Sequence, residues 1–109
     1  MTEISDYVQL ALESVEKVTG ITPNEMTENR MGSRKPEIAD ARMMAMYLAK
    51  CMIPRVSSIK MAALFNRDQS TVRHAWIRIK KVSSVDTRLK HQLKLAAMEA
   101  QKVLRRIKE

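Results

Sequence analysis

Residues 61–75 read Met-Ala-Ala-Leu-Phe-Asn-Arg-Asp-Gln-Ser-Thr-Val-Arg-His-Ala, and this stretch decides the fold. A small-residue apolar helix is expected up to Phe65, and a second helix is expected over residues 69–82. Between them lies a short turn at Asn66-Arg67, and the side chain of Asp68 is a good helix N-cap. Two helices joined by so short a turn are typical of a helix-turn-helix motif.

The net charge of +8 is unevenly distributed along the chain. Residues 1–29 carry a net charge of −5, residues 30–82 carry +9, and residues 83–109 carry +4. Such a segregated basic excess is the electrostatic footprint of a protein that binds a polyanion. Together with the helix-turn-helix pattern, it points to DNA as the partner.

Apolar residues at helical spacing, with local capping signals, predict an all-α, compact bundle of about five to six helices. The content of only two glycines and three prolines agrees with helices rather than with a turn-rich β fold. The first helix is expected over residues 3–18 and ends at Gly20, and a short helix capped by Thr22 is expected from Pro23 to about Glu28. A third helix is expected from Pro36 to about Met52. The helix before the turn is capped by Ser57 or Ser58, and the last helix is capped by Asp86 or Thr87.

Several other classes of protein are disfavoured by the composition. A chain of 109 residues is enough for one compact domain, and the single cysteine, Cys51, excludes an internal disulfide. No apolar stretch approaches 18 residues, so no membrane association is expected, and the expected location is the cytoplasm, on the nucleoid of a bacterium or phage-infected cell. His74 and His91 lack nearby cysteines, and no nucleophile–base arrangement is visible. We therefore expect no enzyme, no metal and no cofactor.

Two blocks of the sequence resemble the C-terminal, DNA-binding domain of the bacterial replication initiator DnaA. The first block, Glu37–Lys50, is similar to a family pattern of the Ala-Arg-Gln-x-Ala-Met-Tyr-Leu kind. The second, Phe65–Ala75, is similar to Phe-x-x-Arg-Asp-His-Ser/Thr-Thr-Val-x-x-Ala. The core of the resemblance covers residues 34–82, and it implies a helix-turn-helix domain of the DnaA and Trp-repressor type over residues 1–82.

The resemblance also implies roles for individual residues. In the family, the start of the second helix of the motif contacts bases in the major groove, and an arginine of a preceding basic loop enters the minor groove. The implied base-contacting residues are Asp68, Gln69, Ser70 and the minor-groove Arg34. Arg42, Lys50 and Thr71 match phosphate-contacting positions, and Arg67 and Arg73 are also expected to contact phosphate.

These roles agree with the chemistry of the side chains. Asp68 can accept from a cytosine amino group, and Gln69 can pair bidentately with adenine. The hydroxyl of Thr71 lies where a helix N-terminus attracts phosphate. Arg34, on its loop, can follow a narrow minor groove. Arg42 and Lys50 lie eight residues apart on one helix, so both can face the same side.

The sequence also departs from the family pattern. Gln69 replaces the family histidine, and Met43 replaces a family glutamine that contacts phosphate, so the preferred DNA sequence is expected to differ from the nine-base-pair box of the family. The chain contains no G-x-x-x-x-G-K-[ST] motif. We therefore expect a stand-alone module without the ATPase and without a nucleotide ligand.

The resulting hypothesis is a sequence-specific protein that binds double-stranded DNA in replication initiation control or transcriptional regulation, encoded by a phage or plasmid. The alternative is a DNA-packaging oligomer, such as a phage terminase small subunit. The C-terminal helix in residues 83–109 either closes the core of the monomer or forms a homodimer. The acidic N-terminal helix either completes the bundle or binds a protein partner.

Overall fold

The computed structural model describes residues 3–28 and 35–108, and every regular element within them is an α-helix. The all-α prediction with five to six helices is therefore confirmed. None of the described helices is long and apolar enough to cross a membrane. In chain order they are α1 (Ile4–Thr19), α2 (Pro23–Thr27), α3 (Pro36–Met52), α4 (Ser58–Phe65), α5 (Gln69–Val82) and α6 (Thr87–Lys108).

The helices begin and end where the capping signals predict. Gly20 ends α1 with φ at 78°, in the left-handed region that favours glycine. Thr22 and Glu25 form a capping box at the start of α2, in which each side chain accepts a hydrogen bond from the backbone N–H of the other. Asp86 caps α6, since its Oδ1 accepts from the N–H of Leu89 at 3.0 Å.

Helix α3 lies at the centre of the bundle. It packs against α1 and α5, while α2 contacts both α1 and α3. Helix α4 packs against α5, which makes the helix-turn-helix pair, and α6 packs mainly against α1 with a smaller contact to α3. Helices α1 and α3 therefore stand between α6 and the α4–α5 pair.

Methionine fills much of the core around a single phenylalanine. Met26, Met44, Met46 and Met61 are all fully buried, as is Phe65. An unbranched, flexible thioether side chain fills irregular gaps between helices well. A core of this kind explains how the protein packs with an aromatic content of only 4%.

Helix α1 is buried on a wider face than a single apolar stripe. Besides the stripe residues Val8 and Val15, it also buries Leu10, Leu12 and Ser14. The hydroxyl of Ser14 donates to the Leu10 carbonyl at 2.7 Å, so this buried polar group is satisfied. The wider face follows from the position of α1 between α3 and α6.

Helix α6 belongs to the core of the monomer. Its apolar stripe buries Leu89, Ala96 and Ala100, with Leu93 and Leu104 partly buried. The two alanines have short side chains, which allow close approach to α1. In this structure the stripe packs within the bundle, and a homodimer through the same helix stays a prediction.

Candidate nucleic-acid interface

A tight turn fixes the two helices of the motif relative to each other. Asn66 ends α4 in the left-handed region, with φ at 55° and ψ at 44°, a conformation that asparagine tolerates better than most residues. The N–H of Arg67 donates to the Ala62 carbonyl at 3.0 Å and closes the end of α4. Helix α5 then begins at Gln69, one residue after its N-cap, Asp68. The geometry is that of a helix-turn-helix.

Asp68 organises the first turn of α5. Its Oδ1 accepts three hydrogen bonds, from the Thr71 N–H at 2.9 Å, the Thr71 hydroxyl at 2.6 Å and the Ser70 hydroxyl at 3.1 Å. The side-chain bond from Thr71, followed by its backbone bond and the bond from Ser70, lowers the pKa of this exposed carboxyl. The carboxylate is therefore ionised at neutral pH and held in place.

The same contacts change what the two hydroxyls can offer a ligand. A hydroxyl group has one hydrogen to donate, and Ser70 and Thr71 both donate theirs to Asp68. A phosphate oxygen needs a donor, so Thr71 would have to release Asp68 to bind it through its side chain. In contrast, each hydroxyl oxygen keeps lone pairs that can accept from a base amino group.

Gln69 is held by a contact between the two helices of the motif. Its Nε2 donates to the hydroxyl of Ser58, at the start of α4, at 2.9 Å. The amide is half-buried and keeps its second N–H and its Oε1 for a ligand. Those are the donor and the acceptor that pairing with adenine requires. Sequence reasoning missed Ser58 as the residue that orients Gln69.

Arg42 does not lie on the open surface. The side chain is only 8% exposed, and its Nε donates to the Met26 carbonyl at 2.7 Å. Burial lowers the pKa of this guanidinium to about 10, and the nearby cation of Arg67 acts in the same direction. The group still carries its proton at neutral pH and connects α3 to α2. The phosphate contact of Arg42 stays a prediction, made for a side chain that the structure shows to be mostly buried.

Lys50 also binds backbone within the protein. Its Nζ donates to the carbonyls of Pro54 at 2.7 Å and Val56 at 3.1 Å, and it lies 4.6 Å from the ring centroid of Trp76. The indole N–H of Trp76 in turn donates to the Met46 carbonyl at 3.1 Å. Lys50 therefore fixes the α3–α4 connection against α5, a role that the sequence pattern does not reveal.

Arg67 connects the turn of the motif to the end of α2. Its guanidinium donates to the Glu28 carbonyl at 2.6 Å, to the Asn66 carbonyl at 2.9 Å and to the Thr27 carbonyl at 3.4 Å. Partial burial lowers the pKa of this group. Three of the five expected phosphate contacts, Arg42, Lys50 and Arg67, thus bind main-chain carbonyls of the protein itself.

The two remaining predicted positions differ in what can be said of them. Arg73 is exposed on α5, one turn after Ser70 and Gln69, where a phosphate contact needs no rearrangement. Arg34 lies outside the described residues, so its minor-groove role stays a prediction. Lys35, the first described residue after that segment, directly precedes α3.

A groove between α3 and α5 adds basic residues that sequence reasoning did not assign. It has a volume of about 530 Å3, and its wall includes Thr71, His74, Arg78 and Lys81 of α5. These positions are separated by three, four and three residues, so they form one side of the helix. This spacing could have identified them from the sequence. Arg78 and Lys81 extend the basic surface from the first turn of α5 along its length, while α3 contributes Arg42 and apolar side chains such as Met43 to the groove.

The described residues contain no cluster of three or more histidine, cysteine, aspartate or glutamate side chains that could hold a metal ion. The chemistry available at the start of α5 is instead that of a binding surface. It combines the amide of Gln69, the capped carboxylate of Asp68 and the exposed cations of Arg73, Arg78 and Lys81. The fold and this surface define a helix-turn-helix protein of the DNA-binding class.

Comparison with known proteins identifies the family. The family described as bacterial dnaA protein helix-turn-helix matches residues 8–79, and the chain belongs to it. The sequence is 31% identical over 91 residues to the chromosomal replication initiator protein DnaA of Rhizobium meliloti (strain 1021), covering 80% of this chain and 18% of that protein. It is 28% identical over 96 residues to DnaA of Brucella abortus biovar 1 (strain 9-941), covering 87% and 19%.

The chain thus spans about a fifth of the length of these curated relatives. No solved structure gave a significant match. The family match covers the helix-turn-helix and ends within α5, and α6 lies beyond it.

Proposed function

We propose that the protein binds double-stranded DNA with sequence preference, through the first turn of α5 in the major groove. The observation that carries this proposal is the Arg67–Ala75 stretch of the family, folded as an Asp68-capped helix with an oriented Gln69 amide and exposed cations beside it. A helix N-terminus of this kind attracts phosphate, and the amide can discriminate between bases.

The proposed base contacts are Gln69, the Oδ2 of Asp68, the hydroxyl oxygen of Ser70, and Arg34 in the minor groove. All three described hydrogen bonds to the Asp68 carboxylate go to its Oδ1, so Oδ2 is the oxygen that can accept from a cytosine amino group. For the phosphate contacts, we favour Arg73 of the predicted set and add Arg78 and Lys81, all of them exposed. Phosphate contacts supply most of the affinity and base contacts the selectivity.

The biological role that we propose is control of replication initiation, with regulation of transcription from related sites as a second use of the same surface. The DnaA relatives support replication by their name, chromosomal replication initiator. We also propose that the chain is encoded by a phage or plasmid, where it competes with the host initiator for DNA sites. A binding module rather than an enzyme is the proposed class.

The packaging alternative has less support. A packaging oligomer would need an assembly surface, and the apolar stripe of α6 that was its candidate is buried against the rest of the monomer. The molecular mass in solution at micromolar concentration discriminates between the two roles. A monomer or dimer agrees with the initiator or regulator, whereas a ring-sized oligomer would favour packaging.

Selection from random duplex DNA at fixed salt, followed by sequencing, tests the proposed function. We expect a motif related to the DnaA box but changed at the position that Gln69 contacts. The variant Gln69→His restores the family residue, so it serves as a matched comparison and should shift the motif back toward the family box. Recovery of no motif at all would overturn sequence-specific binding.

A further inference from the structure

Helix α6 presents a basic face to solvent, opposite to the stripe that packs on α1. Residues 87–108 contain seven basic residues and a single acid, Glu99, a net charge of +6. The exposed basic side chains described on this helix are Arg88, Lys90, Lys94, Lys102, Arg105 and Arg106. No acidic side chain in residues 87–106 shares the centre of this face.

Glu99 does not neutralise the face. It lies at the edge of the helix surface, half-buried, where its carboxylate pairs with Lys17 of α1 at 3.6 Å and with Lys102 at 3.2 Å. These two cations lower the pKa of Glu99, with the hydrogen bond from Lys102 the largest cause. Three of the remaining cations, Lys90, Lys94 and Arg105, lie along one line of the helix, at relative positions 0, 4 and 15.

The face lies on a different helix from the proposed DNA contacts of α5. Helix α6 packs mainly on α1 and makes a smaller contact with α3, and α3 packs on α5, so α3 separates α6 from the helix-turn-helix. The molecule measures 41 × 30 × 23 Å along its principal axes. The basic face of α6 is turned away from α1, so we expect a straight duplex bound at the first turn of α5 to leave this face open.

We propose that the exposed basic face of α6 is a second, sequence-independent binding surface for the phosphate backbone of double-stranded DNA, by which one chain holds two duplex segments. The distance from Lys90 to Arg105 along the helix is about 22 Å, given a rise of about 1.5 Å per residue. That length corresponds to about six base pairs of a duplex measured along its axis, at about 3.4 Å each.

The chemistry of the face favours a polyanion over a protein partner. Its exposed apolar residues are Met98, 50% exposed, and Leu95, 37% exposed. A protein interface needs a larger, charge-depleted apolar centre. Long basic side chains with few apolar neighbours are instead typical of backbone binding, in which neutralised phosphates release their counterions.

A bridging assay tests this proposal. A random-sequence duplex of 30 base pairs is fixed to beads, a second fluorescent random duplex is added at low salt, and the protein-dependent retention of fluorescence is measured. We expect the triple variant Lys90→Gln/Lys94→Gln/Arg105→Gln to reduce retention at least fivefold. Its affinity for the preferred single site should change less than twofold, because α5 is untouched.

The control variant Leu95→Gln/Met98→Gln changes the same face without changing its charge. This control variant should bridge two duplexes like the unmodified protein. If the control variant lost bridging while the triple variant kept it, the face would instead be an apolar docking surface for a protein. Thermal unfolding of both variants checks that each is folded. Bridging by the triple variant, for example through a dimer with two α5 surfaces, would overturn the proposal, as would a failure of the unmodified protein to bridge.

The second surface adds to the proposed function, and the two can fail separately. The variant Gln69→Ala/Arg73→Ala weakens the α5 surface alone. It should keep a residual, salt-sensitive affinity for single random duplexes, part of it from Arg78 and Lys81, and this affinity should fall at least fivefold when the α6 triple change is added. A residual affinity that the α6 triple change leaves unaltered refutes the α6 surface, whereas undiminished specific binding by the α5 variant refutes the proposed helix-turn-helix function.

Discussion

Gln69 is the residue on which the base preference of the proposed interface most depends. Its amide is oriented by the Ser58 hydroxyl at 2.9 Å and stands where the family has a histidine. We expect Gln69→Ala to cost about 1–3 kcal/mol at the preferred site and to relax the preference at one base pair. Competition titrations against single-base-pair variants of the selected site, at fixed salt, measure both effects.

Ser58→Ala provides the matched control for that change. It keeps the glutamine but removes the group that orients it, so the preference at the same base pair should broaden with a smaller loss of affinity. An equal loss of affinity for random DNA in the Gln69→Ala variant would contradict base contact by this residue.

Arg42 and Arg73 look alike in the sequence but should behave oppositely. Arg42→Met removes a buried guanidinium and leaves the Met26 carbonyl without the bond at 2.7 Å, so we expect a lower free energy of unfolding, by about 1–3 kcal/mol. Arg73→Met removes an exposed cation, so stability should stay the same. Instead, the slope of log affinity against log salt should decrease by about 0.9, the value for one phosphate contact.

Thermal or urea unfolding, combined with DNA titration at several salt concentrations, separates the two variants. A stable Arg42→Met protein with a reduced salt slope would return Arg42 to the DNA interface. An unchanged slope for Arg73→Met would remove Arg73 from it.

At the scale of the elements, the start of α5 should respond to acid. Hydrogen bonds from Thr71 and Ser70 lower the pKa of Asp68 in the folded protein. A carboxyl whose pKa is lower in the folded state stabilises the fold above its unfolded pKa, about 3.9, and this contribution is lost as the pH falls through the folded pKa. We therefore expect Asp68→Ala to lower the thermal midpoint at pH 7, and the difference from the unmodified protein to shrink below about pH 4.

Thermal unfolding of the two proteins at pH 7, 5 and 3 measures that difference. Asp68→Asn is the matched control, since asparagine is an equally good N-cap that does not titrate. If the difference in thermal midpoint between Asp68→Ala and the unmodified protein did not depend on pH, the cap would stabilise α5 through hydrogen bonding alone and not through its charge.

Helix limits were predictable because their causes are local. Gly20, Thr22-Pro23 and Asp68 each determine a boundary through contacts within four residues along the chain. The bonds that connect Arg42 and Arg67 to α2 were not predictable, because the acceptors in and after that helix lie 16 to 40 residues away in the chain. The sequence pattern around a basic residue is the same whether its side chain binds a phosphate or a carbonyl of its own protein.

The apolar stripe of α6 was also not assignable from the sequence. A helix that packs within a monomer and a helix that packs against a second copy have the same spacing of apolar residues. The place of α6 against α1 comes from tertiary contacts alone. The position of Gln69 in the motif followed from the sequence, but its orientation did not, because Ser58 belongs to another helix.

At the scale of the whole molecule, the buried side chains of Ala96 and Ala100 make α6 part of the core of one chain. We therefore expect α6 to unfold together with the rest of the protein. Ala96→Leu forces a larger side chain into that core, and we expect it to reduce the free energy of unfolding by about 1–3 kcal/mol. Leu95→Gln, on the exposed side of the same helix, should have little effect. Both should show thermal midpoints independent of protein concentration, whereas a midpoint that rises with concentration would show a dimer through α6.

The contact between Arg67 and Glu28 has a consequence for the DNA sequence itself. Arg67 binds the last described carbonyl before residues 29–34, and Lys35 leads directly into α3, so the described residues on either side of Arg34 belong to the frame that holds Gln69. One inserted base pair increases the distance between two DNA contacts by about 3.4 Å along the duplex axis and rotates one relative to the other by about 35°. A target site with one base pair added between its minor-groove and major-groove parts should therefore lose specific binding, since the spacing of the site is determined by the protein.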